Sequence, residues 1–332
     1  MAENVSELGI VFNKLISHYG KLRNSLSEIE EQSQNIRILS FNSSIEAARA
    51  GNAGRGFHVI SQEIRKISEG NKAVNDACNS VVNEIEKQMY DLIGIRTADV
   101  AFDTIDKIDR NLFERFCDVQ AWATFSRIIE ACRDSSEENC KKANAILSHL
   151  VKIYEVYYDI ILTDINGKII TCGVNEELVG NSVASQEWFT SVKKTGTAFY
   201  TDMYFSRSMN NHVMTYSSPV FDTDVVMVGV ISTRFNWKFV LDIIDKAKIA
   251  KTSSIRLVNS DGVVIGSTNR EEILTSDVRG SNAFTELSNG TAYGFCFGRV
   301  VGKSKTVTGF AKTSGYNSYR GKEWSVIIEE SY

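Results

Sequence analysis

The 332 residues predict an α+β protein in two unlike halves, a long antiparallel helical hairpin followed by a mixed half of antiparallel strands and short helices. Three observations carry that prediction. Mostly apolar positions recur in steps of three and four on Val5, Leu8, Phe12, Leu15, Tyr19, Leu22, Leu26, Ile29, Ser33 and Ile36. They do so again on Phe57, Ile60, Ile64, Ile67, Asn71, Val74, Cys78, Val81, Ile85, Gln88 and Leu92. Such spacing over more than three heptads marks coiled-coil packing. Between the runs, Gly51, Gly54 and Gly56 break any single helix, and from Val156 the apolar period shortens from helical to strand-like.

The first arm covers about residues 6–46 and the second about 54–97. Each is roughly 60 Å of helix at ~1.5 Å rise per residue. One hairpin buries too little of two such stripes, so two copies are expected to pair as a four-helix bundle. Beyond Ala98 the pattern becomes Phe102, Ile105, Ile108, Leu112, Phe113, Phe116, Val119 and Trp122 among dense charges, read as a helical linker over 99–136. Ser135 or Ser136 is the candidate N-cap of an amphipathic helix from Glu137 to Tyr154.

The run YYDIILTDINGKIITCG is strand, Asn-Gly turn, strand. A short helix follows over 185–194, strands over 198–206, 213–221 and 225–235, and a helix over 237–248. A shorter version of this order then repeats: strand 254–259, an Asp261-Gly262 turn, strand 263–267, a helical patch near Glu271, and strands 306–312 and 324–329. The repeat predicts a duplicated module. The domains are therefore expected at 1–98 (hairpin), 99–136 (linker) and 137–332, the last divided into 137–250 and 251–332.

Composition narrows the function. A net charge of −4 with no dominant basic patch argues against a nucleic-acid partner. Six scattered cysteines without a close pair fit reduced thiols in a cytosol. No stretch of 18 apolar residues is present and the first residues carry no basic-then-apolar signal, so no membrane span is expected and the location is read as cytoplasmic. The four histidines, His18, His58, His149 and His212, form no HxxxH or HExxH pair, and no nucleophile triad or phosphate loop stands out. Neither enzyme activity, metal nor cofactor is expected.

The stretch IEAARAGNAGRGFHVISQEIRKIS resembles the cytoplasmic hairpin tip of the methyl-accepting chemotaxis proteins, the bacterial chemoreceptors. The likeness runs through Asn42, Ile45, Glu46 to Gly51, Gly54 to Phe57, Val59 and Glu63 to Arg65. It implies a tip that packs receptor dimers into larger units and docks a histidine kinase and its coupling adaptor through Asn42, Glu46, Arg49, Gly51, Gly54, Arg55, Gly56 and Phe57. Small residues let neighbouring helices approach, and charges fix partner and register. A structural coiled-coil turn with solvated charges would use the same residues. The sequence departs from the family at Gln34 to Arg37 and at Ser43-Ser44, and it offers no methylation pair at the usual distance from the tip.

The second half is similar to the double Cache domain, a PAS-like sensor fold, through Thr163 to Lys168, Val179-Gly180, Glu187 to Phe189, Val228 to Ile231, Val258 to Gly262 and Trp324 to Ile327. The resemblance implies a small solute held in the first module, between its helix and the loop side of its sheet. Mapped here, the ligand-binding residues would be Trp188, Phe189, Tyr200, Asp202, Tyr204, Arg207, Tyr216 and Arg234. Strand alternation puts Tyr200, Asp202 and Tyr204 on one face. Trp188, Phe189 and Tyr216 serve equally as core or as pocket wall. The amino-acid-binding subtype carries Arg two places before the Trp and a late Asp. Here Gln186 and the run Ser232-Thr233-Arg234 stand in those places, which turns the reading from an α-amino acid toward an anion met by Arg234 or Arg207.

Together these readings describe a soluble, homodimeric chemoreceptor-like transducer in which a small-molecule ligand moves the helix 137–154 and so alters kinase control at the tip. The alternative is a coiled-coil dimer that binds a solute or acts as a scaffold without controlling a kinase.

Overall fold

The structure, a computed structural model, describes residues 7–249, 253–298 and 305–331. Two helices dominate it. Helix α1 (Glu7–Arg49) ends at Ala50, whose N–H still bonds the Glu46 carbonyl, and a short 3₁₀ turn over Gly51–Gly54 reverses the chain into α2 (Arg55–Trp122). Two of the tip glycines are sterically required. Gly51 sits at φ +60°, and a Cβ on Gly54 would lie 2.1 Å from the Ala47 carbonyl oxygen. Around Gly56 a Cβ would meet nothing within 4 Å.

The seam between the arms is narrow. Its buried members are Phe12, Leu26, Ser33, Ser40 and Ala47 on α1, and Ser61, Ser68, Asn75, Val82 and Met89 on α2. Toward the tip every one is small, and Ser68 Oγ donates to the Ser33 carbonyl at 2.8 Å. On α1 only Phe12, Leu26 and Ser33 of the expected stripe lie in this seam, and on α2 none does, because the seam there runs one residue C-terminal to the expected positions. Leu15, Leu22, Ile29 and Ile36 on α1, with Phe57, Ile60, Ile67, Val74, Val81, Ile85 and Leu92 on α2, are all exposed. Val5 and the side chain of Leu8 lie outside what is described.

Helix α2 does not stop where the hairpin ends. Its 68 residues, about 100 Å of helix at ~1.5 Å per residue, run without interruption into the second half. The stretch 99–122, read as linker, is thus the continuation of the second arm. Its buried face carries Ala101, Ile105, Ile108, Leu112, Val119 and Trp122 into the main apolar core, while Asp106, Arg110 and Glu114 lie on the wetter side. Helices α3 (Ser126–Arg133) and α4 (Glu137–Tyr154) follow. Ser136 takes the N-cap position of α4, but its side chain caps nothing.

The first sheet contains β1 (Tyr157–Asp164), β2 (Ile169–Cys172), β3 (Phe199–Tyr200), β4 (Tyr204–Ser206), β5 (Asn211–Met214), β6 (Tyr216–Phe221) and β7 (Met227–Asn236). Strand β7 is central: β1 pairs along one edge, and β6 and β5 pair in succession along the other. Helix α5 (Glu187–Thr195) crosses one face and α6 (Lys238–Asp245) leads out of the sheet. The second sheet runs β10-β11-β12-β8-β9, all neighbours antiparallel. Its strands are β8 (Ser254–Val258), β9 (Val264–Ser267), β10 (Tyr293–Phe297), β11 (Thr306–Lys312) and β12 (Ser325–Ser331), with α7 (Asn282–Ser288) between β9 and β10.

Helix α2 is the spine shared by both sheets. One apolar cluster joins its residues to Ile160, Leu162, Tyr216 and Phe235 of the first sheet and to Ile255, Leu257, Ala311, Val326 and Ile328 of the second. The approach to β11 is close enough that a Cβ on Gly309 would fall 2.4 Å from the Ala98 nitrogen.

Candidate functional site

Two regions collect the residues singled out from the sequence, and α2 connects them. At the tip, Asn42, Glu46, Arg49, Gly51, Arg55, Gly56 and Phe57 are all exposed at the end of the hairpin, and Gly54 is buried against α1. Glu46 and Arg49 pair at 3.3 Å, both about three-quarters exposed, so the pair adds little stability. Ile38, Leu39, Phe41, Ile45, Phe57, Val59 and Ile60 are also exposed within the last turns, and Phe57 is 69% exposed. A cluster of large apolar side chains facing water marks an interaction surface.

In the first sheet seven of the eight expected ligand residues separate into two groups and Arg207 joins neither, in part because alternation fixes which face each strand residue takes. Strand β7 turns Ile231 and Phe235 into the core against α2, and Ser232 and Arg234 to the opposite face under α5. Arg234 is 7% exposed, lies 5.1 Å from the Trp188 ring, and donates through Nη1 to Ser232 Oγ and the Thr233 carbonyl, each at 2.9 Å. Ser232 also bonds Ser217 Oγ at 2.9 Å, and Tyr204 Oη meets Thr215 Oγ1 at 3.0 Å. Burial pulls the Arg234 guanidinium below its usual range, with Tyr204 and Asp159 acting the other way. Trp188 and Phe189 pack with Val192 and Val230 beneath α5.

The remaining members lie elsewhere. The alternation expected through 200–204 fails because residues 201–203 are not strand, so Tyr200 and Asp202 do not share a face with Tyr204. Tyr200 stacks on Phe116, Tyr216 and Tyr319 and donates to the Gly321 carbonyl at 3.2 Å. Asp202 accepts from Trp324 Nε1 at 3.1 Å, and burial raises its pKa. Tyr216 is fully buried between Tyr200 and Phe235. These three form the seam between the modules, away from Arg234. Arg207 is exposed.

Sequence reasoning missed the polar ties that fasten the second sheet to the helices. Asp109 of α2, 1% exposed, accepts the single Thr313 O–H, whose Oγ1 lies 2.7 and 2.6 Å from its two carboxylate oxygens, and the Gly315 N–H at 3.1 Å. Burial raises its pKa. Arg96 pairs with Glu330 at 2.7 Å and lies 5.8 Å from the Phe12 ring. Glu86 accepts from Tyr19 of α1 and from Lys305 beside β11, both at 2.5 Å. Phe12, Met89, Ile93 and Val307 form an apolar cluster at the same place. The root of the hairpin is thus built into the second sheet. Only the density of charge around Asp109 hinted at this in the sequence.

The family model of the Cache domain, dCache_1, matches residues 59–332. The chain belongs to the Cache domain family. This Cache protein is also similar to methyl-accepting chemotaxis proteins, being 28% identical over 93 residues to McpN of Pseudomonas aeruginosa, which covers 28% of this chain and 18% of that protein. To McpP of Pseudomonas putida it is 26% identical over 150 residues, 45% of this chain and 26% of that one. The chain therefore spans about a fifth to a quarter of the length of these two relatives. Among solved structures, the ligand-binding domain of the Campylobacter jejuni chemoreceptor Tlp3, in complex with L-norvaline, superposes with a TM-score of 0.57 at 17% identity. The match covers 73% of this chain and 92% of that one, a likeness of fold. The Cache match begins just past the tip, so the second arm and the sheets fall within one family model. Among the described residues no helix is long and apolar enough to cross a membrane, and no three potential ligands gather for a metal.

Proposed function

We propose that the chain is a soluble, homodimeric, chemoreceptor-like transducer. In this reading a small solute bound at the first sheet changes the packing of the hairpin, and the tip passes that change to a chemotaxis histidine kinase and its coupling adaptor. The observation that carries the proposal is the continuity of α2, one helix that begins at the tip and ends inside the core of the first sheet. That helix also supports a cytoplasmic location, since tip and solute site then share one compartment with the kinase. The proposed route differs from one led by residues 137–154: the mobile element is α2 itself.

Dimerisation is supported by the outward half of the heptad. Leu15, Leu22, Ile29 and Ile36, with Ile60, Ile67, Val74 and Val81, repeat every seven residues and have no cover within one chain. A second copy presenting the same stripe supplies that cover as a four-helix bundle. The first sheet works as a switch only for a solute that binds two arrangements of the molecule with different affinity.

The test is co-sedimentation of the chain with a chemotaxis kinase and adaptor, followed by kinase autophosphorylation assays with and without Glu46→Ala. Binding that this substitution weakens supports the transducer. A chain that binds a solute yet neither sediments with the kinase nor changes its activity is instead a solute-binding or scaffolding protein. Sedimentation velocity tests the pairing, with Ile67→Ser/Val74→Ser expected to yield monomers.

A further inference from the structure

We infer that the seam between the hairpin arms binds a small oxyanion that carries an O–H, of the phosphate or bicarbonate type, in a cleft walled by Asn75. The site is built by both arms and lies apart from the first sheet. Its starting point is the amide of Asn75, which is 3% exposed and has a partner for neither Nδ2 nor Oδ1. Leaving two buried polar atoms unmet costs stability that an apolar residue, such as Leu26 or Val82 in the same seam, does not. The amide does not face a dry core. With Ser33 and Ser68, themselves 7% and 2% exposed, it lines a cleft of about 140 Å³. A single water needs only about 10–15 Å³ of such space, so a small polyatomic ligand fits.

The walls select the ligand. An amide offers a donor and an acceptor, and since both are unmet here, turning it over changes nothing. Ser68 has spent its proton on the Ser33 carbonyl at 2.8 Å, while the Ser33 hydroxyl makes no bond among the described residues. The mouth is cationic. Arg37 of α1 and Lys72 of α2 line it, and neither forms an ion pair among the described residues. Of the carboxylates there, Glu69 is held by Arg65 at 3.0 Å, which leaves Glu30 alone to oppose the two cations. In a chain of net charge −4 this is a local reversal of sign, and it favours an anion. Guanidinium and ammonium give such a ligand charge-assisted bonds to its oxygens, and Nδ2 adds a donor from within. Oδ1 remains, and it requires a hydrogen on the ligand. Chloride, nitrate and sulfate carry none at neutral pH; phosphate and bicarbonate do. A bare cation could use Oδ1 and Glu30, but it would meet repulsion from Arg37 and Lys72. An oxyanion in the cleft contacts Arg37 from one arm and Lys72 and Asn75 from the other, and so ties the arms across the seam.

The experiment is isothermal titration of the full chain, with thermal melts alongside, in phosphate-free buffer at neutral pH and constant ionic strength. The probes are inorganic phosphate and bicarbonate, set against sulfate, nitrate and chloride. Saturable binding of phosphate or bicarbonate is expected, together with a rise in melting temperature, because the cleft exists only in the folded hairpin. Sulfate, which carries at least as much charge, should bind at least about tenfold more weakly, as an unmet buried acceptor dictates. Asn75→Leu should lose at least about tenfold in affinity for the oxyanion while its ligand-free melting temperature stays at or above that of the parent, which separates loss of the site from loss of the fold. Arg37→Gln, at an exposed position, should weaken binding at least about fivefold with the ligand-free melt unchanged, and Glu30→Gln should bind no less tightly than the parent. Undiminished binding by Asn75→Leu would place the anion elsewhere and overturn the assignment. Equal affinity for sulfate would overturn it too, reducing the cleft to a cationic patch that takes an adventitious ion only. Absence of saturable binding would leave the cleft to water, and weaker binding by Glu30→Gln would reverse the sign of the ligand; either result sinks the inference.

Discussion

Asn75 tests the account of the hairpin in a direction that chance substitutions rarely take, toward greater stability. It occupies a seam position of α2, 3% exposed, between Ser68 and Val82 at seven-residue steps, and neither its amide nitrogen nor its amide oxygen has a partner. A polar cleft of about 140 Å³ lined by Ser33, Ser68 and Asn75 adjoins it. Each unsatisfied buried polar atom costs about 1–3 kcal/mol, at the low end where water enters such a cleft. Asn75→Leu removes two such atoms and adds buried apolar surface worth about 1.5–3 kcal/mol when fully covered. Part of that gain is lost because the cleft stays partly wet. A net stabilisation of about 1–3 kcal/mol is expected, read as a higher urea midpoint with unchanged slope in a far-ultraviolet circular dichroism titration. A lower midpoint would mean that Asn75 has a partner which a single hairpin does not supply. The description of the seam would then be wrong at its most polar layer.

Three further outcomes follow from the same structure. Gly54→Ala should destabilise by more than 1 kcal/mol because its Cβ would enter the Ala47 backbone, while Gly56→Ala, with open space around it, should be neutral or stabilising by up to about 1 kcal/mol. Equal urea midpoints for the two would refute the close approach. Glu330→Gln breaks a buried pair with Arg96 and should cost about 3–5 kcal/mol in urea titrations; a cost under 1 kcal/mol would remove this pair from the ties at the hairpin root. Burial raises the Asp109 pKa, so the folded state binds a proton more readily than the unfolded one. The stability this protonation contributes is present at low pH and lost as pH rises through the folded value. The melting temperature of Asp109→Asn relative to the parent should therefore climb as pH rises from the ordinary aspartate value of 3.8 to the raised folded value and level off above it, and a difference that falls with rising pH would refute that sign.

Much of this architecture was legible in the sequence, and the gaps have physical causes. Seven-residue repetition identified both arms. What it missed was the seam on α2, which Ser61, Ser68, Asn75, Val82 and Met89 form one residue beyond the expected positions, because small polar residues carry no apolar signal while Leu22 and Ile29, which do, face water. The run from Phe102 to Trp122 was read as linker because an amphipathic helix has the same pattern whether its apolar side meets a sheet or a partner helix. Only the strands, 150 or more residues downstream in the case of β11 and β12, tell the two apart. Segment 198–206 was read as one strand, and its interruption at Thr201 to Met203 moved Asp202 from the solute face to Trp324. Helix α7 and β10 were missed, their short apolar patterns offering no clean period. Arg234 was visible as a residue. That Asp159 stands opposite it depends on β1–β7 register, which no local pattern carries.

The ties at the hairpin root bear on how α2 could carry a signal. The second sheet holds α2 through the contact of Gly309 with Thr97 and Ala98 and through Asp109, and it reaches α1 through the Phe12 and Val307 cluster. Glu86 joins Tyr19 of α1 to Lys305, which leads into β11. A displacement of α2 along its axis therefore cannot leave the relation between the arms unchanged at the root. Farther out, the seam is Ser33, Ser40 and Ala47 against Gly54, Ser61 and Ser68, where no large side chain interlocks the arms. Interlocked cores resist sliding because shifts create voids and clashes, and a seam of small residues offers little of either. The proposed signal would thus be gripped where the side chains are large and expressed where they are small, at the end that bears Glu46, Arg49 and Phe57.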